Sequence, residues 1–370
     1  MYEQSILLHE QLWWKITIAL RKVPMSKQDL SLLYSPWVAW PCLEIQKNPE
    51  RSFDLTRRGN CVAVISNGTA VLWLWDIWAL AWLPVMEWKS LLFKHFAGLD
   101  SIPLVIDQHD PDTLIDTIVS LAWNFAAINL EDIKSPECFY IEEQLQDRLS
   151  IPVFHDDQHG TAIVVLAGII NACKIYHKSD PVVTIIWAWA AGIAVGKLLH
   201  AYGIRNIRMV DSTGTINSSR TGLDQYKSYF VATNLQDIWW WLEQAIAWSD
   251  ILIWLSKAWL ITPDHIRSMN PQPIIFALAN PTPEIMPDDA YAAWAAVVAT
   301  WRSDFPNQVN NVLVFPWLIK WLIKKRMQVT TQIKLHAAHV LASLAPAGYI
   351  IPDPLTPGIA DAIAASIESL

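Results

Sequence analysis

Short apolar, β-branched runs alternate with longer segments of helical spacing along most of this chain. CVAVI (Cys61 to Ile65), IPLVID (Ile102 to Asp107), FAAINLED (Phe125 to Asp132), PVVTII (Pro181 to Ile186), Ile204 to Asp211, ILIWL (Ile251 to Leu255), IIFAL (Ile274 to Leu278) and Val297 to Thr300 read as strands. AVLWLW, starting at Ala70 after a Ser-Asn-Gly-Thr turn, is a further strand candidate. Leu83 to Phe96 has helical spacing and presents Lys89 and Lys94. Residues 1–50 read as helical segments around YSPWVAWPC, where Pro36 and Pro41 bias the residues before them away from helix. Tyr34 is therefore expected at a helix end or in a loop. Strands and helices in alternation predict an α/β fold on doubly wound parallel sheet.

One stretch stands out chemically. IPVFHDDQHGTA, from Ile151 to Ala162, sets Asp156 and Asp157 between His155 and His159, with a Gly160-Thr161 turn before an apolar helical run. Acids at the mouth of a helix can complement its dipole, or they can hold a hard cation such as Mg²⁺ or Mn²⁺. Glu131 and Asp132 also follow a strand, so all four acids could line the crevice at the strand ends. Lys89, in an apolar neighbourhood beside a cation, would have a lowered pKa and serve as a base.

Residues 181–211 have the size of a dinucleotide-binding βαβ unit. Asp211 stands where the ribose acid belongs. Its turn, however, runs Trp187-Ala188-Trp189-Ala190-Ala191-Gly192, so only the last glycine of the fingerprint is present. The polar run RSDFPNQVNN, ending at Asn311, suits recognition of a small carboxylate.

A net charge of −8 with no basic cluster argues against nucleic acid. The four cysteines lie far apart without CxxC spacing, which fits a reducing cytoplasm and argues against a disulfide framework or a zinc site. The longest apolar stretch, from Pro181 to Gly196, falls short of the ~20 residues that span a bilayer, so no membrane is expected.

Taken together, YSPxVAxPC, ISNGTAVL, LPVMExK, INLEDI, IPVFHDDQHGTAIV, ALANPTPEI and RSDFPNQVNNVL resemble the small prokaryotic malic enzymes. The resemblance runs from about Lys15 to Trp321. It implies an N-terminal α/β malic enzyme domain (1–150) and a C-terminal Rossmann-type NAD(P)-binding domain (151–370). It implies oxidative decarboxylation of (S)-malate to pyruvate and CO₂, with Tyr34 and Lys89 transferring protons and Glu131, Asp132 and Asp157 holding Mg²⁺ or Mn²⁺. Asn280 and Asn310 would contact substrate, with Asn280 also near the cofactor, and residues 187–192 with Asp211 would bind the dinucleotide. Asp211 favours NAD, while Ser212 and Arg208 leave NADP open. A cytoplasmic homodimer follows from the same resemblance. Another metal-dependent 2-hydroxy-acid oxidoreductase, or a non-catalytic subunit of the same fold, are the alternatives.

The chain departs from that family in one respect. Trp73, Trp75, Trp78, Trp82, Trp88, Trp187, Trp189, Trp254, Trp294, Trp301, Trp317 and Trp321 stand where the family has glycine. The chain holds 12 glycines and 22 tryptophans, against roughly 26 glycines in an average protein of this length. Taken literally, indoles at 187 and 189 would fill the space a pyrophosphate needs and resist the positive φ that turn glycines adopt. Reading UGA as tryptophan, in genes that use it for glycine, would produce this pattern and leave the other glycine codons intact. With those residues restored the turn becomes a full glycine fingerprint. The non-catalytic subunit requires the tryptophans to be real.

Overall fold

Two sheets carry the chain, and one long helix joins them. The computed structural model describes residues 2–12, 15–21, 23, 26–71, 74, 76–255, 260–359, 362, 363 and 365. Ahead of the first sheet lie α1 (Tyr2–Leu12), α2 (Lys27–Leu33), α3 (Ala39–Lys47) and the single turn α4 (Ser52–Leu55). Ser26 caps α2 by accepting the backbone N–H of Asp29. Neither α2 nor α3 buries any residue. Pro41 lies in the first turn of α3 rather than in a loop, at a position whose N–H would have no helical partner anyway.

The first sheet comprises β1 (Cys61–Ser66), β2 (Asp100–Val105), β3 (Ala127–Leu130) and β4 (Val153–His155), in the order β2-β1-β3-β4 and all parallel. The crossovers contain α5 (Leu83–Ala97), α6 (Pro111–Leu121) and α7 (Glu137–Arg148). β1 and β3 are buried throughout, which is why their sequences run apolar without alternation. β2 is an edge strand, half-buried along its length, and it ends at Val105 rather than at Asp107. The AVLWLW stretch adds no strand: Val71 makes a lone bridge, Leu74 lies in a turn, and Leu72, Trp73 and Trp75 fall outside the described residues.

Helix α8 (Asp156–Ile175) begins directly after β4. HDDQHGTA is therefore no turn before a helix; from Asp156 onward it is the helix's own first two turns. Among the described residues α8 is the one helix long and apolar enough to cross a membrane, but 67% of that window is buried inside the protein. It is a core helix.

The second sheet contains β5 (Val183–Ile186), β6 (Ile207–Asp211), β7 (Gly214–Thr215), β8 (Ile251–Trp254), β9 (Ile274–Ala277) and β10 (Val297–Thr300), in the order β10-β9-β8-β5-β6-β7. All pairs are parallel except β6 with β7. Between these strands run α9 (Ala190–Tyr202), α10 (Gln225–Ser228), α11 (Leu242–Ile246), α12 (Pro263–Arg267) and α13 (Pro287–Ala292). Then α14 (Phe315–Lys325) packs on α5, and α15 (Thr331–Ser343) packs on α8 and α9. The chain leaves β5 toward β6 and returns to β8 on β5's other side. It does the same around β1, with β2 on one side and β3 on the other. Each sheet thus has a switch point, the place at whose C-terminal strand ends an open α/β sheet binds its ligands.

Candidate active site

The acids singled out above arrive side by side because β3 and β4 are paired neighbours, with Leu130 opposite His155. Glu131 and Asp132 follow β3, and Asp156 and Asp157 follow β4. Helix α5 brings Lys89 between them. Its Nζ lies 2.7 Å from Asp156 Oδ2 and 2.9 Å from Glu131 Oε1, 4.5 Å from the Phe315 ring centroid. Asn311 donates to Asp156 Oδ2 at 2.6 Å, and Asn129 donates to Glu131 Oε2 at 3.0 Å. The backbone N–H of Asp132 donates to Asp157 Oδ2 at 2.8 Å. Gly160 makes room for this arrangement: a Cβ there would come within 2.0 Å of Asp156 Oδ1.

Several buried carboxylates face one ammonium, and their titration follows. Burial, reinforced by neighbouring acids, pushes Glu131 and Asp156 up to about 7 and Asp157 up to about 6. Burial and the Asp157 charge raise Asp132 as well. Lys89 moves opposite to the sequence expectation. Burial pulls its pKa down, but the carboxylates of Asp156 and Glu131 outweigh that and hold it above the ordinary lysine range. The apolar neighbourhood was legible in the sequence; the two acids touching the ammonium were not.

Of the two histidines of the HDDQH stretch, His155 brings Nδ1 to 3.7 Å from Asp157 Oδ2, too far for a hydrogen bond, and His159 turns to another acid. His155 is fully buried, with no hydrogen-bond partner for either ring nitrogen, and burial lowers its pKa to about 4. His159 Nε2 sits 2.8 Å from Glu142 on α7. Among the described residues, no group of three or more His, Cys, Asp or Glu side chains stands in metal-holding geometry. The Lys89 ammonium holds the space between Glu131 and Asp156 instead. The donor set still suits a hard divalent cation, being carboxylate oxygens brought together in a largely buried site, and Asp156 Oδ1 has no hydrogen-bond partner.

The other predicted residues lie further apart. Tyr34 is the C-cap of α2, 73% exposed, and no hydrogen bond links it to Lys89. Asn280 is exposed past β9, at a cis Asn280-Pro281 bond. Asn310 caps the following turn by accepting the N–H of Val312 at 2.9 Å. Its neighbour Asn311, read only as the end of the polar run, reaches Asp156 instead of a substrate carboxylate. Asn129 was missed, because an asparagine inside a strand carries no local signal of facing an acid.

At the second switch point the backbone has the form of a dinucleotide turn. Residues 187–189 link β5 to α9, and a Cβ on Gly192 would lie 2.3 Å from the Trp187 carbonyl oxygen, so helix and turn approach as closely as that fold requires. The side chains do not fit the cofactor. Trp187 and Trp189 stack on each other, ring centroids 5.6 Å apart and planes 11° from parallel. Asp211 is fully engaged: Arg220 donates to both its oxygens at 3.2 and 3.0 Å, Thr213 donates twice, and Lys227 lies 3.3 Å away. Burial opposes its ionisation, but these partners hold its pKa at about 2. Arg208 gives no help with a 2′-phosphate. It is buried, donates to the carbonyls of Ala245 and Ala247, and lies against Trp240.

Two family profiles cover most of the chain: malic enzyme, N-terminal domain, over residues 15–146, and malic enzyme, NAD binding domain, over residues 158–369. The chain is 44% identical over 375 residues to a bifunctional malic/malolactic enzyme of Bacillus subtilis, covering 99% of this chain and 92% of that one. It is 44% identical to an NADP-dependent malic enzyme of Haemophilus influenzae over 95% of this chain, while spanning 50% of that longer protein. The crystal structure of an NAD-dependent malic enzyme from Thermotoga maritima matches with TM-score 0.95 and 38% identity, over 98% of both chains.

Proposed function

The chain belongs to the malic enzyme family, and from that premise we propose that it converts (S)-malate to pyruvate and CO₂ with reduction of NAD(P), using a divalent cation. The observation that carries this reading is the buried contact of Lys89 with Asp156 and Glu131, at the end of paired strands whose acids number four. Glu131, Asp132 and Asp157 are the proposed holders of Mg²⁺ or Mn²⁺. Bound there, the cation would withdraw electron density from the C2 oxygen of the substrate. Lys89, positioned by Asp156, which Asn311 orients in turn, is assigned to take the C2 hydroxyl proton as the neutral amine. Its ammonium must first give up a proton, and a cation on Glu131 would favour that by weakening the carboxylate's hold on it. Asn280 and Asn310 are assigned to substrate, Asn280 also to the cofactor, and Asp211 to the ribose, whose hydroxyls would have to displace Lys227 or one of the Thr213 bonds from it.

Tyr34 is assigned to protonate carbon after CO₂ leaves. It stands on a segment whose helices bury nothing and expose Leu30, Leu32, Leu33, Trp37 and Trp40. An apolar surface of that kind calls for a partner, and a homodimer in which this segment packs on the second copy supplies one. The division we propose, 1–150 for the malic enzyme domain and 151–370 for the nucleotide domain, falls just ahead of β4, whose pairing with β3 extends the first sheet to His155. Cysteines without disulfide partners are in keeping with a cytoplasmic setting.

Oxaloacetate decarboxylation tests the site directly, because losing CO₂ from a β-keto acid needs no hydride transfer. Mn²⁺-dependent release of pyruvate from oxaloacetate, lost on chelation and in Lys89→Ala, is the expected result. An enzyme that leaves oxaloacetate and malate untouched but oxidises another 2-hydroxy acid would overturn the assignment.

A further inference from the structure

The nucleotide turn and two unrelated surface turns share one anomaly. Trp187 has φ 90°, Trp248 φ 64° and Trp294 φ 75°. Positive φ is uncommon outside glycine and is tolerated chiefly by Asn, Asp and His; a bulky aromatic there is an outlier. Nine non-glycine residues among those described adopt it, and three are tryptophan. None is phenylalanine or tyrosine, although the chain has 10 and 9 of them. Aromatic bulk therefore has no affinity for these positions. Only the residue written as tryptophan does.

The motif around Trp294 explains what the backbone asks for. After α13, the N–H of Trp294 bonds the carbonyl of Tyr291, and the N–H of Ala295 bonds that of Ala290. This is the helix ending that normally turns on a left-handed glycine. The end of α9 makes the same pair of bonds, from Gly203 to His200 and from Ile204 to Leu199, and there the left-handed residue is a glycine. The indoles bring nothing to these turns: Trp248 is 71% and Trp294 72% exposed, unlike the largely buried tryptophans of ordinary proteins. The anomaly extends to a turn where function is at stake, since Trp187 takes its positive φ at the mouth of the nucleotide site.

We infer that residues 187, 248 and 294 are glycine in the protein made by its own cell, the tryptophans being UGA codons that this organism reads as glycine. Residue 189, whose φ of −116° any residue adopts, follows from the shared codon and not from its backbone. The turn from 187 to 192 is then Gly-Ala-Gly-Ala-Ala-Gly. The N–H groups of residues 187 and 189 are given to the carbonyls of Val210 and residue 187, so an anion would meet the first-turn N–H groups of α9, and losing the indoles clears its approach to them. The consequence for the cofactor rests on the function proposed above; the residue assignment does not.

The test is peptide sequencing by mass spectrometry on the protein purified from its source cells. The tryptic fragment from Ser179 to Lys197 and the fragment holding residue 294 are the ones to read. Both are expected to be lighter than the written sequence by whole indole side chains, with glycine at 187, 189 and 294. Tryptophan at 187 and 294 overturns the inference. A second measurement compares NADH binding, by its fluorescence, to the written chain and to Trp187→Gly/Trp189→Gly. At least a tenfold tighter complex is expected for the double variant, and equal binding removes the consequence for the cofactor. Oxaloacetate decarboxylation separates the two readings, because glycine at 187 with no decarboxylation leaves the assignment standing and removes the function.

Discussion

Removing the ammonium of Lys89 while keeping the length of the side chain, as in Lys89→Met, isolates what that charge does. The ammonium touches Asp156 Oδ2 at 2.7 Å and Glu131 Oε1 at 2.9 Å, in a site where lysine and both acids are almost wholly shielded from water. Breaking a buried ion pair from one side leaves uncompensated charge and costs about 3–5 kcal/mol. The cost must depend on pH, and its sign follows from the acids. Even with Lys89 present, Glu131 and Asp156 titrate at about 7, above the ~4 of an unfolded carboxyl. A carboxyl raised in this way weakens the fold progressively as pH climbs from its unfolded to its folded pKa, then levels off. In the wild type that loss is complete soon above pH 7. In Lys89→Met both acids rise further, so the loss continues where the wild type has levelled. The stability gap should therefore be largest at pH 8 and shrink to below about 2 kcal/mol near pH 5, where neutral acids miss only hydrogen bonds. Urea unfolding in the absence of divalent metal, followed by far-UV circular dichroism at both pH values, measures it. A gap that is equal at the two, or wider in acid, would refute the reasoning.

Gly160→Ala should strike the same centre without touching a charge. The new methyl meets Asp156 Oδ1 at 2.0 Å, so the carboxylate must swing off Lys89 and Asn311, at a stability cost of about 1–3 kcal/mol. Oxaloacetate decarboxylation should fall roughly a hundredfold, as expected of a reacting group displaced by about 1 Å; full activity in a folded Gly160→Ala protein would show that Asp156 does not position Lys89. Asp211→Asn should alter the acid limb of stability. The pKa of Asp211, depressed to about 2 by its partners, gives stability above its unfolded value of ~3.9 that is lost as pH falls toward 2. The asparagine variant lacks this slope, so acid titrations of wild type and variant that run parallel between pH 4 and 2 would count against the Arg220 and Thr213 contacts.

Much of the molecule was legible before any coordinate. Buried parallel strands are written as unbroken apolar runs, so β1, β3, β5, β8, β9 and β10 could be read within a residue or two. The four acids could be placed past strand ends because strand ends are local events. The edge position of β2 was not legible, since burial depends on what lies on either side. Nor was the helical start at Asp156, where tertiary packing of α8 overrides the turn that Gly160-Thr161 suggests. Gly160 is small because Asp156 needs the space, not because the chain turns there.

The amino-acid order by itself determined the α/β class, the sites of the acids, the glycine-like spacing of the tryptophans and the family. Tertiary structure alone decided that Lys89 lies between Asp156 and Glu131 rather than free beside a metal, and that Asn311 reaches Asp156. It also decided that Arg220 meets Asp211, and that Arg208 is taken up by backbone carbonyls rather than left open to a 2′-phosphate. The reason is common to them all. Backbone preference and hydrophobic period act over a few residues and are written along the chain. A charge finds its partner across tens or hundreds of residues, and only the folded packing brings the two within reach.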